Sequence, residues 1–157
     1  LEPERIYRSF KEDVLDDGQH ISLEQCLVWR KGTDLTLIAW GAMVQDCLQA
    51  ADELAIHGID TEVIDVACLK PLDMATIINS VALTGRCVIV QEAVKSGGLG
   101  SEIAARLADK VFYALRAPIK IVSPPDVILP YFKLEQAYLP QVADIVRACR
   151  DLVESTP

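Results

Sequence analysis

The chain has 157 residues and 17.2 kDa, of which 51% are apolar and 24% charged, the balance of one globular domain around a single core and not of a disordered or fibrous segment. Fifteen Lys and Arg against 23 Asp and Glu leave a net charge of −8, the wrong sign for a nucleic-acid backbone, so nucleic acid is excluded as an expected partner. No apolar run approaches the ~20 residues of a membrane helix, and the first residues lack the basic-then-apolar order of a secretory signal, so no membrane partner is expected either.

Residues 1–25 are polar and charge-dense, with turn chemistry at Lys11-Glu12-Asp13 and Asp16-Asp17-Gly18 but no helical stripe. They read as an extended arm. Because the chain opens without a Met, a linker from a preceding domain is expected here, with a short strand at 26–29; residues 1–31 then form the lead-in and 32–157 the domain. From Asp34 onward a short aliphatic run and a helical segment alternate. The run at 35–40 precedes a helix whose Val44, Cys47, Leu48, Ala51 and Leu54 share one face and which Gly58 closes. A second run, 61–66, leads to Lys70-Pro71-Leu72-Asp73, where Asp73 is placed to cap a helix carrying Ile77, Ile78 and Val81 and ending at Thr84-Gly85. A third, 87–90, passes through Gln91-Glu92-Ala93 and Ser96-Gly97-Gly98-Leu99-Gly100 into a helix with Ile103, Leu107 and Val111 aligned. A fourth lies at 119–122. Residues 123–139 then break the rhythm with three prolines and the aromatics Tyr131, Phe132 and Tyr138, a length and composition that suit a functional or docked loop. A last helix at 140–153 presents Val142, Ile145, Val146, Cys149 and Leu152, with Pro140 fitting its first turn.

Strands that are apolar throughout, each followed by an amphipathic helix, predict a three-layer α/β/α domain with a mostly parallel central sheet of about five strands. Cys26, Cys47, Cys68, Cys87 and Cys149 lack metal-ligand spacing, and four lie in apolar stretches, which favours buried free thiols in a reducing compartment.

The glycine turn before the third helix is the first candidate for chemistry, since backbone N–H groups and a helix dipole there can hold an anion. Its fingerprint is incomplete: Gly98-Leu99-Gly100 lacks the third glycine of a dinucleotide site, no Gly-Lys-Ser/Thr follows, and Glu102 repels phosphate. Close packing of helix on strand is the expected role. Gln91 and Glu92 stand at the carboxyl end of the third strand and Asp65 at that of the second, where ligands of open sheets bind. A Glu92–Asp65 pair could do acid–base work, though local pairing of Glu92 and solvation of Asp65 is the favoured reading. His57 fits the last turn of the first helix and His20 lies in the arm, so neither is placed as a catalytic base.

Several stretches, taken in order, carry a resemblance: Glu2-Pro3-Glu4-Arg5-Ile6-Tyr7-Arg8, Trp40-Gly41-Ala42-Met43-Val44, Glu62-Val63-Ile64-Asp65, Leu69-Lys70-Pro71-Leu72-Asp73, Gln91-Glu92-Ala93, Gly97-Gly98, Ser101-Glu102-Ile103-Ala104-Ala105, Ala117-Pro118 and Tyr138-Leu139-Pro140. Together they resemble the C-terminal transketolase-type domain of the beta subunit of thiamin diphosphate-dependent 2-oxo acid dehydrogenases. The resemblance implies a subunit working with an alpha subunit, a second beta subunit and a dihydrolipoyl acyltransferase, in the bacterial cytoplasm or the mitochondrial matrix. It implies an oxidoreductase only as the intact complex, with thiamin diphosphate and magnesium held outside this domain, which is expected to be inactive alone. The residues it marks for interfaces and docking are Gln91, Glu92, Gly97, Gly98, Arg116, Tyr131, Phe132 and Tyr138; catalytic, cofactor and metal residues are expected to be none.

Three departures matter. Gln91 stands where many members have His; Gln here resembles some pyruvate-type members, which leans toward pyruvate. Ala67 and Cys68 stand where an Arg commonly follows the strand. Arg116 replaces an acidic residue that in relatives meets the basic binding domain of the acyltransferase, so the sign of that contact is reversed, while Pro125-Asp126-Val127-Ile128-Leu129-Pro130 adds apolar surface that favours an interface. A related thiamin enzyme (branched-chain, acetoin or transketolase-like) and a stand-alone α/β ligand-binding module are the alternatives.

Overall fold

A computed structural model describes residues 4–11, 13, 18 and 22–155, with the Glu4 and Phe132 side chains outside the described part. His20 and most of the predicted turns of the arm also lie outside the described residues. Five strands form one sheet in the order β1-β3-β2-β4-β5: β1 (Leu27–Arg30), β2 (Leu35–Ala39), β3 (Thr61–Asp65), β4 (Cys87–Val90) and β5 (Lys120–Val122). β2, β3, β4 and β5 run parallel, and β1 pairs antiparallel with β3, Leu27 opposite Asp65. The short strand expected at 26–29 is thus an edge strand of the sheet.

The layers follow from residue alternation. Leu35, Leu37 and Ala39 of β2, Val63 of β3, and Val88 and Val90 of β4 face α1 (Met43–Ile56) and α5 (Val142–Glu154). Their neighbours Ile38, Ile64, Cys87 and Ile89 face α2 (Met74–Thr84) and α3 (Leu99–Val111) on the other side. A strand buried on both faces must be apolar at every position, which is why these runs do not alternate with polar residues. Thr36 of β2 and Thr61 and Glu62 of β3 break that rule; Thr36, fully buried, hydrogen-bonds Ser80 Oγ and Thr84 Oγ1 of α2, each at 2.8 Å.

The predicted stripes and caps are present, with three refinements. Leu48 is half-buried at the rim of its stripe. Pro140 precedes the last helix and is not in its first turn; Gln141 is the N-cap, its side chain and that of Asp144 closing a capping box. Residues 123–139 are not a plain loop, since they hold a 3-10 turn at Phe132–Leu134 and the one-turn α4 (Glu135–Tyr138). Asp73 caps α2, accepting from Thr76 N at 3.1 Å, and Gly85 closes it at φ 70°, a left-handed conformation that glycine adopts without strain. Four cysteines are buried and Cys68 half-buried; all five are free thiols, and burial pushes Cys26 and Cys149 up to about 12.

Candidate functional site

The parallel strands give the domain two unlike ends, and the expected interface residues divide between them. β2, β3, β4 and β5 all finish at the carboxyl edge, which therefore gathers Gln91, Glu92, the glycine turn and the 123–139 segment. Ser96 and Asp126 hydrogen-bond side chain to side chain, fastening the glycine turn to that segment. Arg116 lies at the opposite, amino edge, where its N–H donates to Gly85 O at 2.8 Å just before β4 begins. Arg116 and Tyr131 thus belong to different surfaces.

Gln91 is turned into the domain. Its side chain is fully buried, and it spends all its polar atoms internally: Nε2 donates to Ala93 O and Val94 O, each at 2.9 Å, and Oε1 accepts from Gly100 N at 2.8 Å. The glycines make room for this clamp, because a Cβ on Gly98 would collide with Gln91 Nε2 and Val94 O, and one on Gly100 with Gln91 Oε1. The close-packing role expected for the turn is the observed one. The same bonds close the anion site: Gly98 N donates to Lys95 O, Gly100 N to Gln91 and Ser101 N to Gly98 O, so these donors of the α3 amino terminus are engaged and the residues here do not fit a diphosphate. Gly97, at φ 68°, is exposed at the tip.

Glu92 is half-buried and pairs with Arg5 at 3.0 Å, a contact with the arm and not a local cap. The acid it meets is Asp46 of α1, which also faces Arg5 at 3.6 Å; burial pushes the Asp46 carboxyl up, Arg5 pulls it down and Glu92 pushes it up further. Asp65, the expected partner, is engaged elsewhere: it accepts from Ala67 N at 2.8 Å and from Trp29 Nε1 at 3.4 Å. Asp46 was missed because its partners lie 41 and 46 positions away along the chain, beyond any local pattern. Ala67 sits at φ 48°, a conformation that costs a non-glycine residue about 1 kcal/mol or more.

The 123–139 segment exposes large apolar side chains at this edge. Ile128 is 94% and Tyr131 92% exposed, and Val127, Leu129 and Leu134 are exposed beside them. Tyr138 is half-buried instead, lining a cleft of about 340 Å³ between β5 and α5 with Lys120, Arg147 and Asp151. At the amino edge Phe112 and Tyr113 stack edge to face, ring centroids 5.3 Å apart, and both are exposed beside the exposed Arg116. Sequence reading passed over this pair, although two aromatics directly after the stripe residue Val111 cannot both face the core. Among the described residues no group of three His, Cys, Asp or Glu could hold a metal ion, and no helix is long and apolar enough to cross a membrane.

A mostly parallel five-stranded sheet with an antiparallel edge strand and helices on both faces defines an α/β domain, and residues 24–145 match the family "Transketolase, C-terminal domain", to which the chain belongs. It is homologous to the C-terminal half of the pyruvate dehydrogenase E1 component subunit beta: 41% identity over 154 residues to that of Bacillus subtilis (strain 168), and 38% over 154 to that of Staphylococcus aureus. Those alignments cover 98% of this chain and 47% of each relative, so the chain spans about half their length. Among solved structures, a split gene transketolase described as an inactive beta4 tetramer superposes with a TM-score of 0.79 at 30% identity, covering 93% of this chain and 48% of that one. A 2-oxoglutarate:ferredoxin oxidoreductase from Magnetococcus marinus shares the fold alone, at TM-score 0.53 and 11% identity over 82% of this chain and 19% of that one.

Proposed function

We propose that this chain is the assembly domain of the beta subunit of a pyruvate dehydrogenase-type decarboxylase, noncatalytic by itself. The observation that carries the reading is 41% identity to such a subunit along almost the whole chain. The apolar residues at 127–134 supply a surface for a second beta subunit, and a solved relative is described as a beta4 tetramer. In the intact enzyme thiamin diphosphate with magnesium supplies the chemistry that removes carbon dioxide from the 2-oxo acid and passes the acyl group to a lipoyl acceptor. The residues of this chain do none of that. They hold the fold and its interfaces, and the cofactor is carried outside it, between the remainder of the beta subunit and the alpha subunit.

The preference for pyruvate rests on the relatives and not on Gln91, whose buried amide is spent on the α3 turn. Arg116, exposed beside Phe112 and Tyr113, opposes a basic acyltransferase domain; like charges in contact cost several kcal/mol, so docking on this edge requires a partner face that is not basic there. Five free thiols suit the reducing compartments in which such complexes work.

The test starts from source cells. The native polypeptide carrying this sequence is captured with a domain-specific antibody, weighed, and assayed for oxidative decarboxylation of pyruvate with a lipoyl acceptor. A two-domain polypeptide that co-purifies with an alpha subunit and uses pyruvate is expected. A ketol-transfer activity instead would assign it to a split transketolase, the reading favoured by the 30% identical structure. A polypeptide of this chain's own mass with neither activity would overturn both. Thiamin diphosphate with magnesium is expected to leave the melting temperature of the chain unchanged, whereas a true site would add about 2.7 kcal/mol at a hundredfold excess over Kd.

A further inference from the structure

In an open α/β sheet, the crevice outside the carboxyl ends of two neighbouring strands whose connections lead to opposite sides is where a ligand is expected. Here that crevice lies between β2 and β4: from β2 the chain passes through α1 to β3 on one side, whereas β4 and β5 lie on the other. Two acids face it, Asp46 from the first turn of α1 and Glu92 from the end of β4, with side chains 21% and 34% exposed. Two partly desolvated carboxylates repel each other unless a cation lies between them.

The cation is the chain's own. Arg5, in the 3-10 turn Glu4–Ile6, donates from Nη1 to Glu92 Oε1 at 3.0 Å and places Nη2 3.6 Å from Asp46 Oδ2. Asp46 Oδ2 is buried and makes no hydrogen bond to another described residue, so this contact is the one that offsets its charge. A planar guanidinium can serve two carboxylates on different elements from two nitrogens at once. On either side, Ile6 and Phe10 of the same arm line clefts of about 370 and 220 Å³ against α1. The crevice is therefore filled by the arm's cation and flanked by its apolar residues.

We propose that the switch-point crevice is a guanidinium site filled in cis, with Arg5 keying the N-terminal arm onto the domain by bridging α1 to the end of β4. The place at which this fold would admit a free ligand has become the seat of a strap. Because Glu92 follows directly on Gln91, the position of the arm is tied to the clamp that starts α3. This goes beyond the assembly role and does not depend on which substrate the enzyme uses.

Charge exchange in the chain Leu1–Pro157 tests it, read by chymotrypsin, which cuts after Tyr7 and Phe10 when the arm leaves its seat. Arg5→Glu sets a third acid against two and is expected to raise the initial cutting rate at these two positions about fivefold or more, since cutting follows the population of the opened arm. Arg5→Glu combined with Glu92→Arg restores an opposite-sign pair and is expected to return the rate to within about twofold of the unsubstituted chain. Cutting confined to the arm separates its release from global unfolding, which exposes core sites as well. Should Arg5→Glu unfold the chain, the neutral Arg5→Gln replaces it with the same expected direction. Equal cutting of the unsubstituted and Arg5-substituted chains, or a double variant as labile as Arg5→Glu alone, overturns the proposal.

Discussion

Thr36 and Thr61 are both fully buried threonines on central parallel strands, and their hydroxyls have opposite fates. Thr36 joins Ser80 and Thr84 in a buried hydroxyl network, and Thr84 passes it on to the carbonyls of Ser80 and Arg86. Thr61 Oγ1 has no hydrogen-bond partner among the described residues. Removing one member of a satisfied buried network leaves the others to carry a desolvation cost of about 1–3 kcal/mol, whereas replacing an orphaned hydroxyl by a methyl removes a cost already present. Thr36→Val is therefore expected to lower the unfolding free energy by about 1–3 kcal/mol, and Thr61→Val to leave it unchanged or raise it by about 1 kcal/mol. Urea titration of the two variants beside the unsubstituted chain reads the difference, and losses of equal size would contradict the argument. The sequence marks both positions as strand residues and distinguishes them no further. What separates them is a partner 44 or 48 residues away, set by how α2 lies across the sheet.

Elements are where local chemistry is most legible, because a cap and its helix are neighbours in the chain. Asp73 was readable as the α2 cap, and Gly85 as its end, from the residues alone. Pro140 falls two positions short of the first helical residue, because the cap at Gln141 is held by Nε2 donating to the carbonyls of Gln136 and Leu139, in and just after a short helix that carries no apolar stripe. Asp73 does more than cap. It also accepts from Cys26 N at 3.1 Å, which ties α2 to the residue that opens β1. Burial alone would raise its carboxyl, but the hydroxyl and amide of Thr76 and the amides of Cys26 and Ala75 outweigh burial and hold it below the ordinary 3.8. A carboxyl lowered on folding stabilises the fold above its unfolded value and loses that contribution as pH falls through its folded value. Asp73→Ala is thus expected to cost about 1–2 kcal/mol at neutral pH, with the gap to the unsubstituted chain closing as pH falls below 3.8. Asp46 titrates in the opposite sense: its carboxyl is raised on folding, so its ionisation opposes folding as pH climbs above 3.8. Thermal melts of Asp73→Ala across the acid range, with Asp46→Asn as the opposing control, check both signs. The glycine turn gives a matching test of packing: Gly100→Ala, favoured by helix propensity, is expected to destabilise by about 1–3 kcal/mol because its methyl meets the Gln91 amide.

At the scale of the whole molecule, the alternation of apolar runs and helical stripes was enough to read three layers and a mostly parallel sheet, since both follow from local periodicity. Strand order was not. The order β1-β3-β2-β4-β5 creates the crevice that Arg5 fills, while the direction of β5 puts Arg116 at one end of the domain and Tyr131 at the other. Two ends mean two separable contacts. The carboxyl-edge residues Val127, Ile128, Leu129, Tyr131 and Leu134 form an apolar surface of the kind that marks an interface. A patch of a few hundred Å² returns only about 25 cal/mol per Å², against an association cost of about 4–15 kcal/mol, so the chain alone is expected to form a weak dimer that appears only at high concentration. Paired Ile128→Asp and Tyr131→Asp substitutions are expected to abolish that dimer in sedimentation equilibrium by placing unpaired charge at its centre. The amino-edge pair Phe112→Asp and Tyr113→Asp is expected to leave it intact, because those rings belong to the surface beside Arg116. A chain that stays monomeric at every attainable concentration, or a dimer lost with the amino-edge pair and kept with the carboxyl-edge pair, would move the beta–beta contact away from residues 127–134 and with it the assembly role assigned to that edge.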